Sequence, residues 1–270
     1  MSRRSLSRGA PFQPPDQLSI ERYLRFFNSK ELFEQPEMFS PLDSSHLFGD
    51  HLPLHLEIGC GTADFLCALA LEHPRTNFVG VDVSLKPLFK AIRRAEAHAL
   101  PNIMFIKGDF KRMYPLLAAD SLQAVYLHFP DPHMRQRFRK RRVVSPEFLQ
   151  AIDRALVPGG CLSITTDHHE FFLEMLDVVE RDVRFEKTHA GRYLIGLEAP
   201  TKSRFQRIWE GHGLPTLRVE LRKAHCPVVA SQHPLDHPLP CEHLQRPRAA
   251  GRAQALAQRC VAEQRADALG

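Results

Sequence analysis

HLPLHLEIGCGTADFLCALALEHP, residues 51–74, decides the fold. Its first half is an apolar, strand-like run ending near Ile58, and its second half is helical by period until Pro74 closes it. Gly59 and Gly61 lie at the junction, where glycine lets the backbone turn sharply and approach a ligand in front of a helix N-terminus. A Gly-x-Gly pair alone is weakly diagnostic. As a dinucleotide fingerprint it lacks the third glycine, and Asp64 at the helix start would repel a pyrophosphate, so the loop suits a cofactor without phosphate.

Working outward, NFVGVDV (77–83), NIMFIKGD (102–109), SLQAVYLHFP (121–130) and CLSITTD (161–167) read as further strands, the last preceded by a turn at Gly159 and Gly160. LKPLFKAIRRAEAHAL (85–100), PEFLQAIDRAL (146–156) and HEFFLEMLDVVERD (169–182) have helical periodicity. The alternation predicts an α/β fold, a mostly parallel sheet with helices on both faces. RFEKTHAGRY (184–193) reads as a connection, TKSRFQRIWEGHG (201–213) as a helix and LPTLRVELRK (214–223) as a closing strand, with Phe205 and Trp209 as core. Residues 1–17 read as a flexible basic arm, 18–223 as one catalytic domain and 224–270 as a His/Pro-rich, poorly ordered tail.

Composition sets the boundaries. The 270 residues are 43% hydrophobic and 25% charged, enough for one sizeable core. The net charge is only +5, but a pI near 9.0 and local Arg clusters suit a polyanionic partner. The six cysteines form no C-x-x-C pair and read as reduced thiols of a cytoplasmic protein. The N-terminal MSRRSLSRGAPFQPPDQ lacks a signal-peptide core, and no apolar run approaches the ~20 residues of a membrane span. His225-Cys226 and Cys241-Glu242-His243 lack knuckle spacing, so no metal is expected.

The chemistry is written at the strand ends. Glu57 ends the first of these strands, Asp82 the second and Asp109 the third. In an open parallel sheet the ligand crevice lies outside the carboxyl ends of the strands, so these acids converge. Asp82 suits the two hydroxyls of a ribose, and Asp109 the exocyclic amine of an adenine. One such acid is ordinarily a helix cap or a solvated turn, whereas three in register describe an S-adenosylmethionine pocket. The following strand ends in His128-Phe129-Pro130-Asp131-Pro132-His133, where the prolines restrict the backbone around Asp131. A basic run begins beside it, with Arg135, Arg137, Arg139, Lys140, Arg141 and Arg142 and with Phe138 interleaved. Such runs are usually solvated faces, but at the lip of a crevice this one suits phosphate binding. His128 and His133 are read as packed or solvated residues without a catalytic role.

The order of these motifs resembles the bacterial tRNA (guanine-N7)-methyltransferase family. The shared features are Phe129-Pro130-Asp131-Pro132, Lys140-Arg141-Arg142-Val143-Val144, Thr166-Asp167 and Thr201-Lys202, within residues 50–223. The resemblance implies a Rossmann-like class I methyltransferase fold. It implies S-adenosylmethionine contacts at Glu57, Gly59, Gly61, Asp82, Asp109 and Asp131, with Asp131 also catalytic. It further implies substrate contacts at Arg135, Asp167, Thr201, Lys202 and Arg204, RNA contacts at Arg137, Arg139, Lys140, Arg141 and Arg142, and tRNA guanine 46 as target. Where the family commonly has Trp, Glu and Glu, this chain has His133, Asp82 and Arg204. Two rivals are a methyltransferase acting on a protein or small molecule, which would need no Arg run, and a non-catalytic RNA-binding module, which would not need Gly59, Gly61 and Asp131 together.

Overall fold

The computed structural model describes residues 13–132, 142–196 and 215–224. The strands are β1 (Leu24–Phe26), β2 (Leu54–Ile58), β3 (Asn77–Asp82), β4 (Ile103–Lys107), β5 (Leu122–His128), β6 (Leu156–Thr166), β7 (Phe185–Lys187), β8 (Leu194–Ile195) and β9 (Leu217–Lys223). The helices are α1 (Gln17–Tyr23), α2 (Ser29–Glu34), α3 (Ser44–Phe48), α4 (Asp64–Glu72), α5 (Leu85–Ala97), α6 (Pro146–Ala155) and α7 (His169–Glu180). The strands form one sheet in the order β1-β4-β3-β2-β5-β6-β9-β7, with β8 also pairing β9. Pairing is parallel from β1 through β6, and β9 runs antiparallel to β6, β7 and β8.

Helix signals agree with the helices formed. Asp16 caps α1 by accepting from the Ser19 amide, and Ser145 caps α6 ahead of Pro146. In α5 the buried residues Leu88, Ala91, Ile92 and Ala95 follow helical spacing, as do Phe171, Phe172, Met175, Leu176 and Val179 in α7. The strands alternate between two apolar layers. Val125 and Leu127 of β5 join the layer of α6 and α7, whereas Ala124 and Tyr126 join the layer of α4 and α5. Helices on both faces satisfy a sheet apolar on both sides.

Three features differ from the sequence expectation. The chain before residue 54 contributes its own elements, including β1, which adds an edge strand beside β4. The stretch 184–193, read as a connection, holds β7. The Gly159-Gly160 turn is absorbed into β6 as an irregularity, since Leu122 pairs with Leu156 but Ala124 already pairs with Cys161. The helix expected over 201–213 lies outside the described residues.

Chain order reverses at β2: β3 and β4 lie to one side, β5 and β6 to the other. Such a switch point opens a crevice at the carboxyl ends, here between the loops after β2 and β5. Gly80 of β3 keeps the β2 loop close, because a Cβ there would lie 2.7 Å from Cys60 Sγ and 3.1 Å from the Phe105 ring. Gly80→Ala should therefore destabilise the protein by about 1–3 kcal/mol in denaturant unfolding. Combining it with Cys60→Ala should recover part of that loss, since the two sites share one contact.

Candidate active site

Register brings the strand ends into one row. Asp82 pairs with Lys107, Lys107 with Phe26, and His128 with Thr165, while the amides of Gly59 and Cys60 both donate to the Val81 carbonyl, at 2.8 and 3.1 Å. Gly59 and Gly61 have φ of +75° and +55°, and the space where their side chains would stand is open. Any other residue would strain this turn and fill the crevice. Ala63 continues the turn at φ +50° into α4 without a side-chain cap.

Glu57 is 3% exposed. Its Oε1 lies 3.5 Å from His128 Nδ1, and its Oε2 is buried without a hydrogen-bond partner. Burial pushes its carboxyl above the ordinary carboxylate range, partly offset by His128. His128 is held edge-on to Phe65, with ring centroids 4.6 Å apart, so this packed histidine is also the partner of the buried acid. Sequence could not pair them, because contact across β2 and β5 depends on register.

Asp82 accepts the Gly61 amide at 2.9 Å and the Ser84 amide at 2.7 Å, one on each oxygen. Burial raises its carboxyl pKa as well, and each oxygen keeps a second lone pair for a ligand hydroxyl. Asp64 is ion-paired with Arg94 at 3.1 Å, and Arg94 also donates to the Thr62 carbonyl. The repulsion expected from Asp64 is thus locally compensated, and the argument against a dinucleotide rests on the missing third glycine.

Asp109 is exposed at the start of a 3₁₀ segment and accepts the Lys111 amide at 3.1 Å. Beside it opens a cavity of about 380 Å³ lined by Phe26, Phe27, Asn28, Val83, Lys107 and Gly108. Phe26 and Val83 are 55% and 64% exposed, an apolar pair suited to the faces of a planar base. The sequence reading missed Phe26, Phe27 and Asn28. Three-residue β1 is too short to carry a period.

At the end of β5 the chain turns sharply. Phe129 is buried with φ +50°, a conformation costly for a bulky residue, and its amide donates to the Thr165 carbonyl at 2.7 Å. Two residues on, Asp131 is exposed and Pro132 half-buried. Asp167 follows β6 and is half-buried on the neighbouring strand end. Arg142 is turned into the protein: its Nε donates to the Pro132 carbonyl at 2.9 Å, its guanidinium pairs with Glu174 and it stacks over Phe171 at 4.9 Å. Arg135, Arg137, Arg139, Lys140, Arg141, Thr201, Lys202 and Arg204 lie outside the described residues, as do His133 and the tail cysteines.

Among the described residues no group of His, Cys, Asp and Glu is placed to hold a metal ion, and no helix is long and apolar enough to cross a membrane. Burial pushes the Cys60 thiol up and the Cys67 thiol to about 12, which keeps both protonated and poor nucleophiles at neutral pH.

A glycine turn at the switch point, a buried carboxylate with one oxygen unpartnered and a cavity at the neighbouring strand ends are the parts of a Rossmann-like class I S-adenosylmethionine-dependent methyltransferase. The comparisons agree. A family described as "Putative methyltransferase" matches residues 51–211. The tRNA (guanine-N(7)-)-methyltransferase of Rubrobacter xylanophilus is 49% identical over 221 residues, 82% of this chain and 99% of that protein. That of Chloroherpeton thalassium is 36% identical over 211 residues, 78% and 93% of the two chains. In fold the chain is similar to the crystal structure of the 16S rRNA methyltransferase KamB, with TM-score 0.51, 13% identity and coverage of 69% and 95%. The chain belongs to the tRNA (guanine-N7-)-methyltransferase family.

The buried acids generate a prediction. Glu57 and Asp82 have folded-state pKa values above their ordinary ones, so the ligand-free protein loses stability as pH rises from the ordinary value, 4.5 for Glu57, through the folded one. A cationic ligand should bind more tightly across that interval. Glu57→Gln should flatten this dependence, raise the melting temperature of the ligand-free protein at neutral pH and weaken S-adenosylmethionine binding by about 10- to 100-fold, the loss of one charged hydrogen bond. Calorimetric titration at several pH values measures both effects.

Proposed function

We propose that this protein transfers the methyl group of S-adenosylmethionine to N7 of a guanine in tRNA, at position 46 of the variable loop, in the cytoplasm. The observation that carries this reading is the strained Phe129–Pro132 turn, which carries Asp131 at the carboxyl end of β5, beside the β2 strand end that leads into the glycine turn. S-adenosylmethionine supplies an electrophilic methyl on a sulfonium.

In this reading Glu57 accepts the amino group of the methionine portion through the oxygen that otherwise has no partner. Asp82 accepts ribose hydroxyls, and Asp109 accepts the adenine amine while Phe26 and Val83 flank the ring. Gly59 and Gly61 leave room for the ligand against the backbone. Guanine N7 has a lone pair and no hydrogen, so no residue has to act as a general base. Asp131 stabilises the positive charge that develops on the purine and orients the reacting face. Asp167 grips the guanine through N1–H and N2–H. Arg135, Thr201, Lys202 and Arg204 contact the substrate nucleotide, and Arg137, Arg139, Lys140 and Arg141 meet RNA phosphates. A guanine leaving its stack costs a few kcal/mol, which phosphate contacts offset.

Labelled S-adenosylmethionine incubated with unmodified tRNA should give label at one guanine, mapped by strand cleavage at 7-methylguanosine. Label elsewhere in the RNA would keep the reaction class and overturn the site. Asp131→Asn should lower kcat about 100-fold or more while cofactor binding persists, the magnitude of losing one transition-state electrostatic contact. Near wild-type turnover would refute its role. Binding to tRNA should weaken steeply between 50 and 200 mM salt, by about a thousandfold if six or more phosphates are contacted.

A further inference from the structure

Arg142 belongs to a basic run in sequence but not to a solvated face in space. Its side chain is 12% exposed, and both Nε and Nη1 of the guanidinium have intramolecular partners. Nε donates to the Pro132 carbonyl, Nη1 pairs with Glu174 of α7, and the plane lies over Phe171 of the same helix. An arginine poised for a phosphate keeps its donors toward solvent; this one turns Nε and Nη1 into the fold.

The partners tie two strand ends together. Pro132 follows Asp131 after β5, while α7 begins just after Asp167 of β6, with His168 capping it by accepting the Phe171 amide. The turn needs such a tie. Phe129 holds a strained φ, and strain persists only where surrounding contacts over-determine it. Pro130 and Pro132 have no N–H, so the turn has few donors of its own. One end is fixed by the Phe129 amide on Thr165; the other is fixed by Arg142 on the Pro132 carbonyl.

We propose that Arg142 is a positioning residue for Asp131, clamping the Pro132 carbonyl to α7, and that it is not an RNA-phosphate contact. The inference rests on the assignment of Asp131 to the reacting site. Lysine cannot substitute fully, because it lacks the planar fork that lets one side chain donate to the carbonyl, pair with Glu174 and lie over the Phe171 ring together. Glu174, which a phosphate-contact role would leave irrelevant or inhibitory, becomes part of the same device.

The test compares Arg142→Ala, Arg142→Lys, Glu174→Gln and the double variant Arg142→Ala/Glu174→Gln in the full chain. Steady-state kinetics are read beside tRNA binding over a salt series and S-adenosylmethionine titration. A clamp predicts that Arg142→Ala lowers kcat about tenfold or more, as expected when a reacting group is misplaced by a fraction of an ångström, with cofactor affinity kept. Arg142→Lys should recover part of kcat, and Glu174→Gln should lower kcat in the same direction. The double variant should be little worse than the poorer single one, since both act through one contact. The slope of log affinity against log salt should not change.

A slope reduced by about one unit in Arg142→Ala would overturn the proposal in favour of a phosphate contact. So would a Glu174→Gln variant with unchanged kcat. Equal loss of cofactor binding, tRNA binding and turnover would overturn it in favour of a general folding role; Glu174→Gln, at a half-exposed position, keeps the comparison possible if Arg142→Ala fails to fold. Asp131→Asn with wild-type turnover would instead remove the underlying assignment, a result separable from any Arg142 outcome.

Discussion

A carboxylate buried at the end of the central strand is the constraint on which the site depends. Taking a charge out of water costs several kcal/mol unless it is paired and hydrogen-bonded. Glu57 has only a 3.5 Å approach to His128 on one oxygen and no partner on the other. His128 is fixed by Phe65 and Tyr126, and Tyr126 by a 3.1 Å hydrogen bond with His55. The aromatic layer under the β2 loop thus holds the histidine that stands beside one oxygen of this carboxylate, while the other oxygen has no hydrogen-bond partner among the described residues.

The same logic organises the loop above it. The carboxylate of Asp82 is occupied by the amides of Gly61 and Ser84, so it shapes the glycine turn before it meets any ligand. Gly80 lets Cys60 sit against β3, and Cys60 in turn holds the loop down. The shape of the β2 loop is therefore a property of backbone packing as much as of acidic side chains.

What the sequence made legible, and what it did not, follows from range. The β2–α4 junction, the acids at successive strand ends and the Phe-Pro-Asp-Pro turn are local patterns, and each takes its place in the structure. Phe26 and Asn28 were invisible because three residues of β1 carry no period and their use depends on parallel pairing with β4. The partnership of Glu57 with His128 crosses two strands whose register no local pattern encodes. Arg142 shares its stretch with five basic residues that together read as a phosphate-binding run, whereas Glu174 and Phe171, which lie beyond the next helix and strand, turn its side chain inward.

The contrast between Glu57 and Asp131 carries the last step. Glu57 is buried in the ligand-free protein, so a charge on it acts at low local dielectric. Asp131 is exposed at the β5 turn, where water screens its carboxylate. The two carboxylates thus differ in burial while they stand at the ends of strands adjacent in the sheet. A turn that must hold its carboxylate exposed yet fixed cannot rely on packing around that side chain; it has to be fixed through its backbone, at the Phe129 amide and the Pro132 carbonyl.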